Sequence, residues 1–170
     1  MTVREIVQQG NPVLDAVAQE VAKDEFGSKD LEALVQDLSD TLATTDVGVA
    51  IAAPQIGVSK RVFVVRGRVF GEDEPDQVFI NPVITKQSKK AEFMEEGCLS
   101  CLYWYGDVKR QLKTTISYRM LDGTAATRGA GDLLAHIFQH EIDHLNGVLF
   151  VSKAKNLRQE SDERKDEQES

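Results

Sequence analysis

Along SKDLEALVQDLSDTLATTD (28–46), leucine or valine returns at positions 31, 34, 35, 38 and 42. Those spacings stack side chains on one helical face, and Ser28 is a good N-cap. The stretch therefore predicts an amphipathic helix that buries one side and ends before Gly48. The pattern then breaks. VGVAIAAPQIGVSK (47–60) is apolar but built of small residues and interrupted by glycines and a proline, which predicts a loop packed close against something rather than a regular element. RVFVVR (61–66) and QVFINPVI (77–84) are rich in β-branched and aromatic residues and read as strands, with a turn inside GRVFGEDEPD (67–76). KTTISYRM (113–120) is a third strand candidate, and Leu121-Asp122-Gly123 after it signals a hairpin.

Near Gly131 the period changes. DLLAHIFQHEIDHL (132–145) is apolar on most sides until Asn146-Gly147, a fitting helix stop. A helix apolar nearly all round is a central, buried one. The last nineteen residues (152–170) carry eleven charged side chains and one large apolar one, which predicts a solvated helix or a disordered tail rather than a binding element. No internal repeat is visible, and 170 residues suit one hydrophobic core. The expected fold is α+β: short antiparallel sheets packed around a central C-terminal helix, with an N-terminal amphipathic helix. Residues 1–151 form the expected single domain and 152–170 a charged tail.

A net charge of −8 argues against a phosphate backbone as the main partner, because no basic stripe is present. The first fifteen residues lack the apolar core of a signal peptide, and no run approaches the roughly 20 apolar residues of a membrane span. Cys98 and Cys101 are too close in sequence for a stapling disulfide, so the expectation is a reducing, cytoplasmic setting in which the thiols are free for chemistry.

Two of the three histidines fall within His140-Glu141-Ile142-Asp143-His144. Positions i and i+4 of a helix differ by only about 40° around the axis, so His140 and His144 project side by side and can reach one ion. Glu141 is offset by about 100° and can lie beside that ion without ligating it, as a general base or acid for water. A hydrolytic site wants a third protein ligand and an open position. The metzincin extension fails because its final histidine position is Phe150. A third carboxylate from Glu160 or Glu163 would sit in a stretch with too few apolar residues to be pinned. The remaining soft ligand is a cysteine, and EEGCLSC offers Cys98.

Three stretches, GVAIAAPQIG (48–57), EGCLS (96–100) and QHEIDHLNG (139–147), resemble in order and spacing the three signature motifs of peptide deformylases, with weaker similarity over most of the chain. The resemblance implies a hydrolase that removes the formyl group from N-formylmethionine of new polypeptides. It implies Cys98, His140 and His144 as ligands of one divalent metal, Fe(II) in the cell with zinc or nickel as replacements. It gives Glu141 the proton transfers, and Gln55 and the backbone N–H of Leu99 the stabilisation of the oxyanion.

Val49, Ala50, Glu96 and Gly97 are then expected along the substrate cleft. Leu133, His136 and Ile137 line its methionine pocket, and Arg110 pairs with a nearby carboxylate, with Glu96 a further brace of the cysteine segment. His136, one turn before His140, is expected at the pocket rim and not on the metal. The implied partners are N-formylmethionyl polypeptides and, transiently, the ribosome; no membrane and no sequence-specific nucleic acid are expected. The sequence leaves the pattern at Ala50, where the family has glycine, and at Cys101-Leu102-Tyr103, where it has an aliphatic residue followed by Pro-Gly. Two other readings remain open at this point: a deformylase-like protein with lost or specialised amidase activity, and a closed structural zinc site of Cys98, Cys101, His140 and His144.

Overall fold

The computed structural model describes residues 1–160. It contains helices α1 (Pro12–Asp15), α2 (Lys29–Ala43) and α3 (Asp132–Leu145), and strands β1 (Ala50–Ala52), β2 (Val62–Val65), β3 (Gln77–Gln87), β4 (Ala91–Cys98), β5 (Cys101–Gln111), β6 (Lys113–Arg119), β7 (Ala125–Gly131) and β8 (Lys155–Gln159). Two antiparallel sheets result, a five-stranded one in the order β1-β2-β3-β6-β7 and a three-stranded one in the order β4-β5-β8. The fold is α+β, with the helix carrying HEIDH at its centre. No helix among the described residues is long and apolar enough to cross a membrane.

Strand β2 shows why two helices are needed. Its side chains alternate between faces. Val62 and Val64 pack with Leu31, Leu38 and Leu42 of α2, while Phe63 and Val65 pack with Ile137, Phe138 and Ile142 of α3. Each fully buried leucine of α2 contributes about 1.5–3 kcal/mol of transfer free energy. On the α3 side, Phe63 stacks on Phe79 at 5.0 Å, and Phe138 meets Phe79 edge-on at 5.0 Å. Ser28 caps α2 by accepting from the Leu31 N–H, as its sequence predicts. Asn146 and Gly147 end α3, and Gly147 has φ +74°, a region favouring glycine.

Several expectations change. The segment read as a loop contains β1, followed by a 3-10 turn over Ala53–Ile56, and both are buried. Its small side chains let it lie between α2 and α3. Cys98 is not on a free loop: it ends β4 and pairs with Cys101, with Leu99 and Ser100 forming the turn. Strands β4, β5 and β7 were not anticipated. The charged stretch after residue 151, expected to be helical or disordered, contributes β8, which pairs with β5; the remainder of that expectation, residues 161–170, lies outside the described residues.

Candidate active site

α3 brings a row of polar groups into a buried position, and each must find a partner there. Gln139 clamps the end of β5: its Oε1 accepts from the Gln111 N–H and its Nε2 donates to the Gln111 carbonyl, both at 2.9 Å. Asp143 accepts from Arg110 Nη1 at 2.7 Å and pairs with Lys153 at 3.0 Å. His140 and His136 both reach Glu96. One carboxylate oxygen of Glu96 takes His140 Nδ1 at 2.6 Å and Arg110 Nη2 at 3.0 Å. The other takes His136 Nε2 and Arg110 Nε, both at 2.7 Å. Glu96 was expected along the substrate cleft, and although it borders the cleft, its side chain is buried and both oxygens are engaged by the protein. Its place is behind His140, braced by Arg110.

That arrangement sets the face His140 presents. A proton on Nδ1 donated to Glu96 leaves the Nε2 lone pair available to a cation. Cys98 Sγ lies 3.3 Å from His144 Nε2, and one donor atom each from Cys98, His140 and His144 falls within 4.8 Å of the others. Among the described residues no other group of histidine, cysteine and acidic side chains has this spacing. Cys101 is outside the group; it is buried beside Cys98 across the turn. His136 is outside it too, with Nε2 on Glu96 and Nδ1 3.1 Å from the Met94 sulfur, at the cleft wall.

The side chains fit a divalent cation. Burial and the neighbouring His140 push the His144 pKa well down, so its imidazole is neutral and able to ligate. The Cys101 contact and burial push the Cys98 thiol up, an uphill state that a cation beside the sulfur reverses. Glu96 resists its burial: hydrogen bonds from His136, His140 and Arg110 hold its pKa far below the usual carboxylate range. Glu141 has no such support. Burial pushes its carboxyl up to about 7, and its buried Oε2 has no hydrogen-bond partner among the described residues.

Glu96, Cys98, His140 and Glu141 sit at one wall of a cleft of about 400 Å³, which the buried His144 does not border. Val49, Ala50, Gly97, Leu133 and Ile137 also border it, Leu133 at the exposed mouth and Ile137 buried. Gln55 is buried and bifunctional. Its Oε1 accepts from the Ala52 N–H at 2.9 Å, which fixes the amide so that Nε2 faces Cys98 Sγ at 3.6 Å and Ser100 Oγ at 3.3 Å. Leu99 follows Cys98 in the turn, where its carbonyl accepts from Gln8 Nε2 at 2.9 Å. Gln8, Met94, Gln139 and Asp143 were not singled out by sequence reasoning. For Gln139 and Asp143 the signal was present, since each is a polar residue on a helix otherwise destined for burial.

A buried carboxylate with one oxygen unpartnered among the described residues, beside a cysteine and two histidines at the wall of an open cleft, is the arrangement of a metal-dependent hydrolase. The profile of the polypeptide deformylase family matches residues 3–160. Peptide deformylase 2 of Clostridium perfringens is 42% identical over 157 residues, covering 92% of this chain and 96% of that protein. The actinonin-bound crystal structure of the class I type b peptide deformylase from Acinetobacter baumannii superposes with a TM-score of 0.83 at 34% identity, covering 91% of this chain and 100% of that one. The Met-Ala-Ser-bound form of the same enzyme gives 0.82 at 35% identity, covering 89% and 99%. The chain belongs to the peptide deformylase family.

Proposed function

We propose that this protein hydrolyses the formamide of N-formylmethionyl polypeptides, releasing formate and a free α-amino group. The observation that carries the reading is the buried, unpartnered Glu141 Oε2 beside the Cys98, His140 and His144 donors. A divalent cation held by those three residues supplies Lewis-acid chemistry and makes water more acidic. Glu141 takes a proton from the attacking water as its oxygen bonds to the formyl carbon. It then delivers that proton to the departing nitrogen as the C–N bond breaks. Gln55 Nε2 and the Leu99 N–H donate to the formyl oxygen as it becomes negative. Glu96 and Arg110 keep His140 in the ligating tautomer.

Leu133, His136 and Ile137 wall the pocket for the methionine side chain, with Val49, Ala50 and Gly97 along the substrate backbone. In this reading the catalytic unit includes β8. Mixed thiolate and imidazole donors support iron(II) in the cell, with zinc or nickel as replacements. New polypeptides as substrates place the protein in the cytoplasm, in transient contact with the ribosome. The net charge of −8 speaks against a sequence-specific nucleic-acid partner, and nothing in the reading calls for a membrane.

The test is formate release from formyl-Met-Ala-Ser by protein loaded with iron(II) under anaerobic conditions. Turnover that is lost on chelation and restored by added metal is expected. A metal-loaded, folded protein that releases no formate refutes the reading.

A further inference from the structure

The chain has two cysteines, and the fold sets them against each other. Cys98 ends β4, Cys101 begins β5, and they face one another across the Leu99-Ser100 turn. Directly opposed residues of an antiparallel pair have Cα atoms about 4.5–5.5 Å apart and side chains on the same face. That separation falls inside the roughly 4.4–6.8 Å that a disulfide bridges. Both residues carry free thiols, the two thiols are in contact, and both belong to the cluster of Leu14, Val108 and Phe150. Beyond them the ladder is interrupted: Glu96 pairs with Gly106, so a single residue on β4, Gly97, faces four on β5, Leu102–Tyr105. Regular pairing therefore does not clamp the cysteine pair from that side, and a small closure of the turn stays local.

A bond here would be no staple for the fold, because closing so short a loop constrains the unfolded chain less than a long-range link does. Its place in the site matters more. Cys98 and Cys101 both border the cleft, where a small oxidant or reductant can reach them. Cys98 is half-buried and Cys101 buried, so the oxidant meets Cys98 first and Cys101 stands behind it. Cys98 Sγ is the one sulfur among the donors that lie together with His140 and His144. Joined to Cys101 it can no longer be a thiolate ligand, and two histidines alone would remain. The aliphatic residue that peptide deformylases carry at position 101 could form no such bond.

We propose that Cys98 and Cys101 form a redox pair that a peroxide closes to a disulfide, withdrawing Cys98 from the metal donors and switching the site off reversibly. The Cys98 sulfur attacks one peroxide oxygen, the O–O bond breaks, and the departing hydroxide takes up the thiol proton as water. Cys98 is left as a sulfenic acid. The Cys101 sulfur then attacks that of Cys98, the S–O bond breaks, and hydroxide leaves with the Cys101 proton as a second water. The two sulfurs give up two electrons and the peroxide gains them. A dithiol reverses the bond by exchange. The effect on turnover rests on the deformylase reading above; the bond itself does not.

The test treats zinc-loaded and metal-free protein with excess hydrogen peroxide and reads denatured intact mass, free thiols and bound zinc, a metal with no redox chemistry of its own. The wild type should lose two hydrogen atoms and both free thiols, and remain a single chain on a non-reducing gel. Zinc should slow the reaction, and wherever the bond forms the zinc should leave. Dithiothreitol should restore both thiols and zinc binding. Cys101→Ser should instead gain oxygen at Cys98, pass on to the sulfinic acid, and fail to recover zinc binding with dithiothreitol. Cys101→Val, which keeps the position apolar, should behave alike if the serine variant folds poorly. Oxygen gain by the wild type, full recovery by either variant, or zinc retained alongside the bond overturns the redox pair and leaves deformylation standing. Formate release, followed in parallel, should fall and return with the thiols. If none is released even before peroxide is added, the deformylase reading falls, and mass, thiols and zinc still decide the pair.

Discussion

Replacing Glu96 by glutamine keeps the size of the side chain and changes one atom from acceptor to donor. That atom must face one of two pairs of donors: His140 Nδ1 with Arg110 Nη2, or His136 Nε2 with Arg110 Nε. In the first orientation His140 changes tautomer and turns an N–H toward the donor group. In the second the amide N–H faces His136 Nε2 instead, and in either orientation one N–H of the buried Arg110 is left against it. Removing one partner of a buried ion pair costs about 3–5 kcal/mol, and the retained amide oxygen argues for the lower end. Glu96→Gln should therefore lower Tm by about 6–12 °C, at the 2–4 °C per kcal/mol of a domain this size. Metal affinity, measured by chelator competition, should fall by about 10–100-fold through the loss of the His140 support.

The pH dependence has a definite sign. The folded-state pKa of Glu96 is depressed, so its stabilisation is present above its unfolded pKa of about 4.3 and is lost as pH falls toward the folded value. In metal-free protein the Tm gap between wild type and variant should narrow below about pH 4. A gap that stays constant from neutral to acid pH, or metal affinity within about twofold of wild type, would refute this account of Glu96.

Glu141→Gln should retain the metal and lose about 10²–10⁴ in turnover; near-normal rates in metal-loaded protein would assign the glutamate another task. Gln55→Glu keeps the acceptor for the Ala52 N–H but withdraws the donor, so kcat should fall by about 10² with KM little changed, whereas a purely structural glutamine predicts no such split. Cys101→Ser should leave metal content at one per chain, and loss of metal would revive a four-ligand site. Ala50→Gly should cost about 0.5–1 kcal/mol in thermal melts without raising kcat/KM, because the alanine methyl belongs to the packed core. A tenfold gain in kcat/KM, equivalent to about 1.4 kcal/mol, would show that the methyl crowds the substrate.

Both long helices were legible because their apolar spacing follows the helical period, and the metal-ligating spacing of HEIDH rides on one of them. The segments that failed to read as strands share a different property. β4, AEFMEEGC, does not alternate, since Phe93 and Met94 are adjacent, and its one buried side chain, Glu96, serves the site rather than the core. β7, AATRGAG, is made of small residues apart from Arg128 and shows no apolar period in its sequence. β1 is three residues long and fully buried, so no alternation can mark it. The cysteine was identifiable as a ligand from resemblance, but its strand-end position was not, since the four-against-one mismatch after Cys101 conceals the regularity of β5.

β8 closes the three-stranded sheet on the side away from β4. The last strand of any open sheet leaves a row of unpaired backbone groups, a template on which another extended chain can grow. Among the described residues that border is only five residues long, is exposed throughout, and carries Lys155 and Arg158 with Leu157 as its one large apolar side chain. A neighbouring molecule approaching it would have to displace two cationic side chains, Lys155 from the Phe93 ring and Arg158 from Glu95 and Glu160. The charge density that hid this strand from a reading by pattern is thus a safeguard against the edge-to-edge association that a more recognisable strand would invite.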